Sequence, residues 1–174
     1  MMKAFKAMTL RSCTSKTQIF WSWIGAFAGI AVVSLISSFF LDGTGLTLVI
    51  GSFGASAVLI YGAVDSPLAQ PKNLVGGHVL SALVGVTAFQ IFSGQLWLAA
   101  PLAVATAIAI MQLTDTLHPP GGATALIAVI GGENIHQLGY FYAFFPVASG
   151  AFLMLVVALA VNKIAPGRTY PKKT

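Results

Sequence analysis

His118 lies in Thr116-Leu117-His118-Pro119-Pro120-Gly121-Gly122, a stretch that cannot be regular helix throughout because its paired prolines and glycines interrupt the backbone ladder. An imidazole here has three uses. It can donate a hydrogen bond to an anion, carry a coupled proton with an ordinary pKa of about 6.5, or satisfy a carbonyl exposed by the break. Asp115 is an ionisable group at the edge of an apolar run, where such groups serve function. A carboxylate repels an anion unless protonated or paired, so proton coupling or pairing with His118 suits it. Ser56 and Thr124 each sit where a hydroxyl reaches a ligand or bonds its own helix. Asn73 and His78 flank Gly76-Gly77 and read as helix caps rather than as lining of a vestibule. Two separated histidines with one acid make no metal motif, and Cys13, the single cysteine, permits no intrachain disulfide or thiolate cluster. The chain carries no nucleophile elbow, Walker A loop or dinucleotide fingerprint, so neither an enzyme nor a bound cofactor is expected.

The elements that must position these residues are apolar. Of 174 residues, 57% are hydrophobic and 7% charged, against roughly a quarter charged in soluble domains. That composition cannot cover a soluble surface and points to the bilayer. Apolar runs cover 19–41, 46–64, 74–92, 96–113 and 123–130, with a last span over about 139–161 that contains Pro146. The first is long enough to cross and reads as an uncleaved span rather than a signal peptide. Lys3, Lys6, Arg11 and Lys16 precede it, and Lys163, Arg168, Lys172 and Lys173 follow the last; Lys72 stands alone between them. This charge flanks spans and forms no patch, which excludes a nucleic-acid partner and predicts a multi-pass protein of the plasma (inner) membrane with both termini cytoplasmic. Gly25 and Gly29, Ser81 and Gly85, and the alanines from Ala99 to Ala109 recur at spacings that let helices approach closely.

At an offset of 68 residues, Gly54-Ala55-Ser56-Ala57-Val58-Leu59 falls on Gly122-Ala123-Thr124-Ala125-Leu126-Ile127, Asp65 on Glu133 and Ser81 on Ser149. The fold class read from this is an all-α membrane protein of two inverted three-segment repeats, 19–92 and 93–162, within one transmembrane domain. The basic segments 1–18 and 163–174 flank it. The middle segment of each repeat is a broken half-helix: residues 47–53 extended before a helix from Gly54, and 116–121 extended before a helix from Gly122. The alternative is four spans plus two re-entrant segments. Two half-helices entering from opposite faces direct their free amides and positive dipole ends to one point near the midplane. Small residues at their starts let a ligand approach the backbone, and such a place binds anions. The expected substrate-binding residues are therefore Ser52, Phe53, Gly54, Ala55 and Ser56 from the first break. From the second they are His118, Pro119, Pro120, Gly121, Gly122, Ala123 and Thr124, with the prolines holding the extended stretch. His118 and Asp115 are the candidates for proton coupling.

Three blocks resemble the HPP family of small integral membrane proteins. They are Gly51-Ser52-Phe53-Gly54-Ala55-Ser56-Ala57-Val58-Leu59, the segment from Ser66-Pro67-Leu68 through Gly76-Gly77-His78, and Thr116-Leu117-His118-Pro119-Pro120-Gly121-Gly122-Ala123-Thr124 with its His-Pro-Pro signature. The resemblance implies a multi-span protein, usually described with four spans, and associates it with nitrite transport. Two functions follow as expectations. One is a transporter or channel for a small monovalent anion, nitrite by resemblance. The other is a non-transporting membrane scaffold or accessory subunit, which a continuous helix through 47–64 would favour. A chain this small is expected to shield its packing faces as a homo-oligomer.

Overall fold

A computed structural model of the chain describes residues 15–44 and 47–172. Lys3, Lys6, Arg11, Cys13, Gly45, Leu46 and Lys173, used in the sequence reading, lie outside the described residues. Four helices are long and apolar enough to cross a membrane. The first is α1 (Lys16–Leu41), opened by the Ser15 side chain accepting from the Gln18 amide. The others are α3 (Pro71–Phe92), α4 (Leu96–Leu113), and a π turn (Ala143–Ala148) that continues into α7 (Ser149–Ile164). Pro146 lies in that π turn, and Phe145 leaves helical dihedrals at φ −136 and ψ 123. Between the long helices lie two short apolar ones. The first is α2 (Ser52–Ala57), prolonged by a π-helical turn (Val58–Gly62); the second is α5 (Pro119–Ile130). A six-residue helix, α6 (Glu133–Leu138), follows α5.

Both half-helices start earlier than the sequence predicts. The first begins at Ser52, not Gly54, because a turn closes from the Phe53 amide to the Ile50 carbonyl. The second begins at Pro119, not Gly122. Its two prolines occupy the first helical positions, where an amide has no intrahelical partner and their fixed φ suits the helix. They open the helix rather than hold an extended stretch. At 11 and 12 residues, the two span about 16 and 18 Å at a rise of about 1.5 Å per residue.

Hydrogen bonds fix the direction of each segment. Residues 15–22, 61–70 and 162–172 gather at one end of the molecule, chiefly around Arg168. Its guanidinium donates to the Gln18 side chain and carbonyl, Ser22, the Tyr61 carbonyl and the Asn162 side chain. The start of α1, the end of α2's π turn, the start of α3 and the end of α7 therefore share this end. Every described Lys and Arg lies here, while Asp42 and Glu133 lie at the other end. The chain between α1 and α3 thus travels the length of the molecule, part extended and part helical. α5 runs alongside α3, with Gly77 against Thr116 and His118, and Gly85 against Ala125 and Ala128.

The outer surface is hydrophobic: Trp23, Phe27, Phe39, Phe40, Trp97, Leu113 and Phe152 are all exposed. Inside, small residues set the spacing, as their recurrence predicts. Tyr61 lies across Gly25 and Gly29 and donates to the Met154 carbonyl. Phe53 fills the space that Gly150 leaves, and the α3 stripe of Gly77, Ser81 and Gly85 receives α5.

Candidate anion site between the half-helices

α2 and α5 do not meet end to end. Their first two turns lie side by side and antiparallel, so that Ser52 of one faces Thr124 of the other and Ser56 faces His118. Five polar side chains fill this junction: Ser52 and Ser56 on α2, His78 on α3, His118 capping α5, and Thr124 within it. Each is at most 1% exposed.

They form one continuous chain of contacts. His118 Nδ1 donates to the Leu68 carbonyl at 2.8 Å, and its Nε2 lies 2.9 Å from Ser56 Oγ. Ser56 Oγ is also 2.7 Å from His78 Nε2, and His78 Nδ1 is 2.7 Å from Thr124 Oγ1. Thr124 Oγ1 donates to Ser52 Oγ at 2.8 Å. The two imidazoles stand edge to face, their centroids 5.0 Å apart, and Phe53 packs edge-on to His78 at 5.4 Å. Measured along α3, His78 comes seven residues after Pro71, about 10 Å from the basic end of a helix about 33 Å long. The junction therefore lies on the basic side of the helix's middle, closer to the middle than to that end.

Local sequence explains the convergence. Pro119 biases His118 to extended backbone (φ −138, ψ 104), which swings its ring off the helix axis toward α3. There Gly77 admits it: a Cβ on Gly77 would stand 2.6 Å from His118 Cβ and 2.8 Å from the Thr116 carbonyl. Asn73 does not cap α3. Its amide crosses to the Leu117 carbonyl at 2.9 Å and anchors the segment that carries His118. His78 is likewise no cap but a central member of the cluster.

Of the residues read from sequence as binding an anion, Ser52, Ser56, His118 and Thr124 meet in the cluster, with Phe53, Pro120 and Gly121 buried around them. Gly54, Ala55, Pro119, Gly122 and Ala123 face away. A Cβ on Gly54 meets nothing within 4 Å, and one on Gly122 only Val104 at 3.8 Å. Asp115 is exposed beyond α4 with φ 52, apart from His118. Two participants escaped the sequence reading, His78 as a cluster member and Arg168 as the clamp. The available signal for His78 was its place beside the Gly77, Ser81, Gly85 stripe, since a polar residue next to a close-packing face is buried with it.

A family profile for the HPP transmembrane region matches residues 11–171. The chain belongs to the HPP transmembrane family. Two Dictyostelium discoideum proteins, each named only as a transmembrane protein, are similar to it: one 46% and the other 48% identical over 157 residues, or 88% of this chain. The chain spans 55% and 50% of their lengths, about half of each. No solved structure matches it. Within this HPP chain the His-Pro-Pro signature is the start of α5, and the histidine is one of the residues that join the two half-helices.

Proposed function

We propose that this HPP protein is a transporter or channel for a small monovalent anion, nitrite by its family resemblance. The anion is held where α2 and α5 overlap. The observation that supports this is the convergence of Ser52, Ser56, His78, His118 and Thr124 in a largely apolar interior, along the first two turns of two antiparallel half-helices. Hydroxyl and imidazole donors suit one negative charge. The non-helical backbone up to Gly51 supports the same reading, because irregular backbone persists at membrane depth only where protein or a polar cavity satisfies it. His118 is the proton-coupling residue of this reading.

The alternating order of segments, up-down-up and then down-up-down, supports the inverted repeat, and the basic end is assigned to the cytoplasm of the plasma membrane. A homo-oligomer is supported by the exposed residues Thr47 and Val49, which lie outside any helix and need a protein neighbour in lipid. A second reading, a membrane scaffold or accessory subunit, draws on one feature: in this arrangement every polar side-chain atom of the cluster has a partner within the protein. Nitrite influx into liposomes holding the purified protein separates the two. Protein-dependent, saturable influx is expected, and none above empty liposomes would leave the scaffold.

A further inference from the structure

We infer that His78, Ser56 and His118 form one unit that holds a single shared proton together with the bound anion, with Thr124 coupling its charge to the junction of the half-helices. This rests on the transport reading for the anion alone.

The proton count comes from the bonding partners. The Leu68 carbonyl only accepts, so His118 carries hydrogen on Nδ1. The Thr124 hydroxyl hydrogen goes to Ser52 at 2.8 Å, with the Pro120 carbonyl farther off at 3.4 Å, so the Thr124 oxygen accepts from His78, which then also carries hydrogen on Nδ1. Both remaining Nε2 atoms then face Ser56 Oγ, at 2.7 and 2.9 Å. Ser56 has one hydrogen to give. With both rings neutral, one of the two contacts would set a bare lone pair against oxygen. One added proton, on either Nε2, completes both bonds, and the Ser56 hydroxyl passes it between the rings.

Without that proton the chain closes only by reversing. Thr124 turns its hydroxyl to His78 Nδ1, His78 moves its hydrogen to Nε2 and donates to Ser56, and Ser56 donates to His118. Thr124 then no longer donates to Ser52, the direct side-chain bond between α2 and α5 at this point. Gain or loss of the proton therefore rewrites a bond between the half-helices.

Among the described residues the charged form has no carboxylate partner. Around the unit, Tyr142 sits on the Thr124 carbonyl and Tyr61 on the Met154 carbonyl. Lys72, Asp65 and Asp115 are at the basic end, Asp65 paired with Lys172, and Arg168 is held by neutral acceptors. A lone buried cation is costly, so the proton enters with a monovalent anion, and the loaded site is neutral overall.

The test uses the whole protein in lipid bilayers with 15N-labelled histidine. Only three histidines exist, and His136, stacked on Phe89 and bonded to the Val129 carbonyl, is an internal reference for folding. At fixed pH, sodium nitrite should raise the cationic imidazole population by up to one ring per chain, spread over His78 and His118, with His136 unchanged. The nitrite midpoint should rise about tenfold per pH unit above neutrality, the reciprocal linkage of one proton and one anion. His78→Gln and, should that variant misfold, Ser56→Ala should each abolish the His118 response. A His118 that responds to nitrite as before in either variant, two rings that charge independently, or rings indifferent to nitrite would overturn the proposal. Nitrite flux without this response retains the transport reading and rejects the shared proton. The response without flux does the reverse.

Discussion

His118 does two tasks with its two nitrogens, and substitutions separate them. Nδ1 satisfies the Leu68 carbonyl and Nε2 meets Ser56. Gln reaches a similar distance and donates, but it does not titrate. His118→Gln should therefore keep part of the uptake while removing its pH dependence, measured as nitrite influx across a pH series; a parental pH profile would reject proton coupling at this residue. His118→Leu leaves both the Leu68 carbonyl and Ser56 short of a partner. An unsatisfied buried polar group costs about 1–3 kcal/mol, so the variant's melting temperature in detergent should fall measurably. Ser56→Ala should destabilise by a similar amount, because two ring nitrogens lose their common neighbour.

The half-helices are positioned by glycines on their neighbours rather than by glycines of their own. Gly77 on α3 leaves room for the His118 backbone and the Thr116 carbonyl, both of which a Cβ would strike. Gly77→Val should dislodge the start of α5, lowering folded yield and stability together. Gly54 stands in open space on the outer face of α2. Gly54→Ala should be neutral or slightly stabilising, within about 1 kcal/mol, because alanine restricts the unfolded chain more than glycine does. Thermal unfolding of both variants in one detergent checks the pair. Equal losses would mean that α2 meets another surface at Gly54.

Residues 15–22 and 162–172 hold the molecule together at its basic face. Arg168 places its donors on α1, α2's π turn and α7, so it also satisfies a carbonyl at the end of the first half-helix. Burial pulls its pKa down from the ordinary value, and the Asp65 carboxylate opposes that shift. Arg168→Lys cannot reproduce the forked geometry, so Lys and Ala variants should lose comparable stability, to be measured by thermal unfolding. The same clamp sets the topology. Ser66 lies at the end that holds Lys16 and Arg168, and Gly94 lies between α3 and α4 at the other. With Cys13 replaced, cysteines at Ser66 and Gly94 should label from opposite sides of the membrane. Ser66 is expected on the cytoplasmic side, and its labelling from outside would restore the four-span arrangement with re-entrant half-helices.

Composition alone determined that the chain enters a bilayer, because thirteen charges cannot cover a soluble domain of 174 residues. Pattern also located both broken segments and the residues Ser56, His118 and Thr124, since prolines and clustered glycines interrupt a helix wherever they fall. The helix starts at Ser52 and Pro119 were displaced by two and three residues from the expected ones. Proline reads as a breaker in sequence, yet at a helix's first positions it initiates. What only the tertiary structure decided is which groups face one another. His78 joined the cluster and Asp115 did not, although Asp115 is three residues from His118 and His78 is forty. Sequence distance carries no information about which face of α3 packs on α5. That face is chosen by backbone approach at Gly77, Ser81 and Gly85, and the buried imidazole beside it follows.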